Sequence, residues 1–213
     1  MDEKLVKAQE EFYRIVDHEI ALLEQRMPTV VCPPDCSACC LGDIFFVTAL
    51  DFSYVCHYAA QHLTAEQREA IVKLAAPQAE RTGIGLALEL ETSNRRRAEH
   101  EGQPCPFLRE GKCSIYPARP TPCRLYGRTR FGNGRPNLCD TIVEQISRAP
   151  EGRAAQYARL PMVEEFSGLL ARILQSHLCE EELREVEKLL RVSTLPVFIA
   201  QTELDEQRLS QED

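Results

Sequence analysis

Eight of the ten cysteines in this chain fall into two dense clusters, and no other feature restricts its fold as strongly. The first cluster is Cys32, Cys36, Cys39 and Cys40, in the run CPPDCSACC. The second is Cys105, Cys113, Cys123 and Cys139, in CPFLREGKCSIYPARPTPC and GRPNLC. Thiolates bind soft and borderline metals, and a metal needs several of them converging. Residues 101–136 contain six prolines and five glycines, which favours irregular backbone. Loops this poor in apolar residues do not offset their own ordering entropy, so metal ligation is expected to pin them. The clusters are about 65 residues apart in sequence and are expected to meet in space.

Disulfides are the competing use of so many cysteines. The chain begins MDEKLVKAQEEF, without the basic and apolar regions of a secretory signal. That points to a cytoplasmic, reducing location, where clustered cysteines serve metal binding or catalysis. A chain of 213 residues can bury an ordinary core and needs no disulfide staples. No apolar run reaches the length of a membrane span.

The net charge of −8 argues against nucleic acid as a partner. Its distribution is uneven, since residues 95–135 hold ten Arg and Lys against three Glu. This basic block surrounds the second cluster. It can compensate the negative charge of a thiolate centre, receive a protein partner or small anionic substrate, or simply be a solvated surface.

The rest of the chain reads as mainly α. A single helical domain over residues 1–201 is expected, with a polar, fraying tail at 202–213. Leu5, Ala8, Phe12, Val16, Ile20, Leu23 and Met27 recur at helical spacing up to Pro28. Thr48 can cap a helix carrying Phe52, Val55, Cys56 and Ala59. Thr64 with Gln67 forms a capping box for a long helix to about His100, kinked at Pro77 and Gly83/Gly85. Phe131-Gly132-Asn133-Gly134 reads as the turn of a short hairpin. Further helices are expected near 138–146, 156–177 and 180–192, with a strand or extended strap at Leu195–Ala200. Cys-rich loops at 28–47 and 101–139 then surround the metal.

Cys32, Cys36 and Cys39 have the spacing C-x3-C-x2-C, and such a loop can wrap three irons of a cubane cluster. Radical S-adenosylmethionine enzymes share this spacing. This chain lacks their βαβ alternation, and Cys40 and the second cluster offer further ligands. Neighbours such as Cys39 and Cys40 diverge, so both rarely ligate one tetrahedral zinc. Prolines in Pro104-Cys105-Pro106 and Pro122-Cys123 stiffen the second set. An iron–sulfur centre of [4Fe–4S] type is the leading expectation, for electron transfer or support of a modification reaction. The alternatives are a non-catalytic zinc protein whose four-cysteine sites staple an interaction scaffold, and a metal-trafficking or sensing module. The chain has no P-loop, H-E-x-x-H or G-x-S-x-G, so no catalytic residue is assigned. Cys56 is expected as a buried core thiol, and His177 and Cys179 as helix-end residues.

CPPDCSACC, then CPFL, then GKCSIYPARPTPCRLYG, resemble the YkgJ-type CxxxCxxCC family of zinc- or iron-chelating proteins. The resemblance covers 32–139 in pieces, with CSIYPARPTPCR its most specific stretch. In its cysteine set that family is similar to bacterial flagellin lysine methylases of the FliB type, where an iron–sulfur cluster is implicated. The resemblance implies ligand roles for Cys32, Cys36, Cys39, Cys40, Cys105, Cys113, Cys123 and Cys139. It places Tyr116, Arg119, Pro120 and Arg124 as residues framing them.

Overall fold

The structure, a computed structural model, describes residues 1–33, 36–42, 45–82, 104–190, 192–196 and 198–199. The fold is mainly α, as the periodicity predicts. The chain divides into two compact units that alternate along the sequence. One is Met1–Cys36 with Thr121–Lys188, and the other is Ser37–Pro120 with Leu189–Asp213.

The first unit is built on α1 (Glu3–Arg26), whose Asp2 cap accepts from the Lys4 amide at 2.8 Å. Its apolar stripe buries Val6, Phe12, Val16, Ile20 and Leu23. Each such side chain contributes about 1.5–3 kcal/mol on leaving water. The stripe packs against α8 (Val163–His177), which buries Phe166, Ile173 and Leu174. Between them in sequence come α5 (Thr121–Leu125), α6 (Asp140–Ser147) and α7 (Arg153–Ala158), and α9 (Glu180–Leu189) follows. The single helix expected over 156–177 is in fact two. Pro161 lacks an N–H and disfavours helix in the residue before it, so the chain breaks between α7 and α8. The Arg130 amide instead takes the Pro161 carbonyl, at 3.0 Å. The expected hairpin is present: β4 (Thr129–Arg130) pairs antiparallel with β5 (Pro136–Asn137).

Gly127 precedes that hairpin with φ +83°, and its amide donates to the Asn137 carbonyl at 2.9 Å. A Cβ here would sit 3.2 Å from Ile142 Cγ1 and 3.9 Å from the Cys139 Sγ. Gly127→Ala is therefore expected to cost about 1–3 kcal/mol, from left-handed backbone and close packing together. Denaturant melts read this directly, and an unchanged midpoint would contradict the geometry.

In the second unit, β1 (Phe46–Thr48) pairs antiparallel with β6 (Val192–Thr194). Thr48 caps α3 (Ala49–His62) through a reciprocal box with Asp51. Thr64 and Gln67 form the second box, at 2.9 and 3.2 Å, opening α4 (Ala65–Thr82) with Pro77 inside it. The continuation to His100, the Gly83/Gly85 kink and the tail at 202–213 lie outside the described residues. The strand expected at Leu195–Ala200 is corrected. The strand lies earlier, at Val192–Thr194, and residues 195–196 and 198–199 are helical. The reason is spacing: Leu195, Phe198 and Ile199 sit at i, i+3 and i+4, and all three are buried. Phe198 stacks on Phe52 with ring centroids 5.1 Å apart. Among the described residues no helix is long and apolar enough to cross a membrane.

Candidate metal centre

The second unit collects Cys39, Cys40, Cys105 and Cys113. Cys39 and Cys40 lie on the short helix α2 (Ala38–Gly42), with the Cys40 amide donating to Ser37 O at 2.8 Å. The Cys105 amide donates to the Cys40 carbonyl at 2.6 Å, so the two sequence clusters meet here as expected. The buried Gln78 amide holds Pro104 O at 2.9 Å and fixes the approach to Cys105. A tight hairpin follows, β2 (Leu108–Arg109) with β3 (Lys112–Cys113). Glu110 (φ 49°) and Gly111 (φ 76°) both adopt the left-handed region that a two-residue turn between twisted strands requires. The register sets Cys113 opposite Leu108.

This loop is anchored better than its composition suggests. Phe107 and Ile115 are buried in the unit's core, and Cys105 and Cys113 pack against it. Ser114 binds Phe107 O through both its amide and its hydroxyl, each at 2.9 Å. The expectation that the loop cannot order itself is thus corrected for residues 104–118, because two large apolar side chains reach the core. Burial pushes the Cys105 thiol up to about 12, and nearby Cys113 and Cys39 add to the rise against a lowering hydrogen bond from the Phe107 backbone. Three thiols therefore share one electrostatic neighbourhood. Without a cation Cys105 favours the protonated form.

The first unit collects Cys32, Cys36, Cys123 and Cys139. Pro28 ends α1 and opens a 3-10 turn, Pro28–Val30, that leads into Cys32. The Cys36 amide donates to Pro33 O at 3.1 Å. Cys139 is buried and stands at the N-cap of α6. α6 packs on the Pro28–Val30 turn. With its nitrogen turned toward them, the Gln145 amide donates to Thr29 O at 2.9 Å and Val31 O at 3.2 Å. Cys123 lies on α5, next to Arg124.

The arginines near the second cluster have definite partners. Arg124 is buried, forms an ion pair with Asp17, and lies 3.8 Å above the Tyr13 ring. Arg128 Nε donates to Glu24 at 2.7 Å, and Arg130 Nε to Leu160 O at 3.0 Å. α1 therefore holds the Cys123 segment through the acids Asp17 and Glu24. Arg119 stacks 4.0 Å over the exposed Tyr116 ring and donates to its carbonyl at 3.2 Å. Of the basic block, residues 95–103 lie outside the described residues. Sequence reasoning missed Gln78, Asp17 and Glu24. The acids were legible only as a polar face of α1, with nothing local to name their partners.

Cys56 and Cys179 are exposed, so the expectation of a buried Cys56 is corrected: it lies on the solvent side of α3. Cys56→Ser and Cys179→Ser are expected to leave metal content unchanged and stability within about 0.5 kcal/mol, as for ordinary surface positions. Metal analysis with a thermal melt checks both. His177, in the last turn of α8, meets Glu11 at 2.7 Å.

As placed, no three His, Cys, Asp or Glu side chains among the described residues stand close enough to hold one ion. The donors nonetheless fit a thiophilic metal, since each set is four thiols. Closure then falls to the ion, which commonly orders its own ligands. No curated protein and no solved structure matches the chain. Residues 31–141 match the family CxxCxxCC, described as "Putative zinc- or iron-chelating domain". That span covers over half of the chain and all eight clustered cysteines, and the chain belongs to this zinc- or iron-chelating family.

Proposed function

We propose that the clustered cysteines hold an iron–sulfur centre of [4Fe–4S] type and that the protein transfers electrons through it. The observation that carries this reading is the meeting of Cys39 and Cys40 with Cys105 and Cys113 in one unit, at the Cys105–Cys40 backbone bond of 2.6 Å. Four thiols are the donor set of a cubane cluster. Cys39 and Cys40 point about 100° apart around α2, which suits different irons better than one tetrahedral ion. Such a centre, when bound, takes up and releases single electrons. The chain's own residues supply position and environment. Phe107 and Ile115 fix the hairpin on an apolar floor, and Gln78 orients the Cys105 backbone. Cys39, Cys40, Cys105 and Cys113 are each partly exposed, which leaves a short path to a redox partner.

Anaerobically purified protein is expected to be brown, with a broad visible charge-transfer band, and to contain iron with acid-labile sulfide. Colourless protein carrying stoichiometric zinc after growth in iron-replete medium would overturn the reading in favour of four-thiolate zinc.

A further inference from the structure

We propose that the groove between α1 and α8 binds a small amphiphilic anion, a molecule with a carboxylate or phosphate group on an apolar body. The groove lies wholly within the first unit and takes no side chain from the cysteine clusters.

Two helix faces make the groove. Ile15, Glu19 and Leu23 are four residues apart and share one side of α1, while Phe166 and Leu169 face them from α8. The helices run antiparallel. Glu11 meets His177 at 2.7 Å toward one end, and Arg159 donates to the Arg26 carbonyl at 3.4 Å at the other. The floor is apolar, with Leu23 and Phe166 buried and Leu169 half-buried. Its volume of 570 Å³ falls within the range of small-molecule sites, about 300–1,000 Å³.

The charges on the rim identify the ligand. Arg26 and Arg159 stand together at one end, and Arg172 lies further along near Glu19. Arg159 reaches this end because Pro161 breaks the chain between α7 and α8. Among the described residues none of these three arginines forms an ion pair. Acids are plentiful in this chain, which has 33 Asp and Glu against 25 Lys and Arg. In the same unit Arg124, Arg128 and Arg148 each hold a carboxylate. Arg26 and Arg159 instead donate to backbone carbonyls, of Leu22 at 3.1 Å and of Arg26 at 3.4 Å. A guanidinium has five N–H donors in a fork that fits a carboxylate or phosphate, so each arginine keeps donors for a ligand. An anionic head held by Arg26 and Arg159 lays its apolar body along Leu23, Phe166 and Leu169. Glu165 is the opposing charge. It lines the same groove, pairs with neither arginine, and holds the affinity for an anion down.

The test titrates the full-length, metal-loaded protein by calorimetry with octyl phosphate, octanoate, octyltrimethylammonium and inorganic phosphate. At least one of the two octyl anions is expected to bind at a single site, and the cation and inorganic phosphate much more weakly. Tighter octyl phosphate assigns a phosphate head, and tighter octanoate a carboxylate. Arg159→Gln should weaken the octyl anion roughly tenfold, the usual effect of losing a charge-assisted hydrogen bond. Glu165→Gln should tighten it by relieving repulsion. Both positions are exposed, so both variants should melt with the wild type. Opposite shifts in two equally stable variants are not a product of unfolding. The proposal is overturned if neither octyl anion binds, if the cation or inorganic phosphate binds as tightly, or if the two variants bind like the wild type.

Discussion

Chelator-stripped, reduced protein is expected to melt roughly 10–20 °C below the loaded form. Metal that binds only the folded chain stabilises it by mass action, about 4 kcal/mol when free ligand exceeds Kd a thousandfold. For a chain of this size each kcal/mol moves Tm by about 2–4 °C. The full binding energy of a structural thiolate site is larger, about 10–16 kcal/mol for zinc. Not all of it should appear as stability, because Phe107 and Ile115 already anchor residues 104–118 to the core. Calorimetry of loaded and stripped protein makes the comparison. Coincident melts would show that the cysteine loops hold their structure without metal.

The same thiols set the pH dependence of the stripped form. The Cys105 thiol is raised from 9.0 to about 12, chiefly by burial. The folded chain therefore keeps a proton there that the unfolded chain releases. This contribution to stability is complete below pH 9, and it is lost as pH rises through about 12. Stripped protein should lose stability progressively above pH 9. Loaded protein should be less sensitive, because under the proposed ligation Cys105 has already given up that proton. A stripped form that is equally stable at pH 8 and 10.5 would contradict the packing of the Cys105 thiol against the unit's apolar core.

The helices were legible because their signals are local. The apolar stripe of residues 5–27, the Thr48 cap and the Thr64/Gln67 box are each read from one continuous stretch of chain, and all three form. The cysteines were legible as chemistry for a similar reason, since ligand type and density are written in the chain itself. Their grouping was not. Whether Cys40 meets Cys105 depends on a hairpin and a buried Gln78 that no spacing rule includes. The Leu195–Ala200 segment failed differently. Its Leu195, Phe198 and Ile199 have helical spacing, and the strand formed just before them, where Val192–Thr194 pairs with Phe46–Thr48. The role of Arg124 was also hidden, because its partner lies 107 residues away on α1.

That pair yields the second large effect. Asp17→Ala is expected to cost more than Arg124→Met, although Arg124 is the deeper residue. The Arg124 side chain is 1% exposed and that of Asp17 is 45% exposed. Removing Asp17 takes the carboxylate from a guanidinium that stays buried against Tyr13. Breaking a buried pair in this way costs about 3–5 kcal/mol, and the partial exposure of Asp17 lowers the expectation to about 2–4. Arg124→Met exchanges the buried charge for an apolar chain of similar length and leaves Asp17 to water, at a cost of about 0–2 kcal/mol. The difference should appear as a Tm gap of several degrees in melts of the two variants, and the double variant should track Arg124→Met rather than the sum. Because Arg124 directly follows Cys123 and ties α5 to α1, Asp17→Ala should also release metal faster to a competing chelator. If Arg124→Met proves the more damaging change, α1 holds the Cys123 segment by the shape and hydrogen bonds of the arginine, and its charge contributes little.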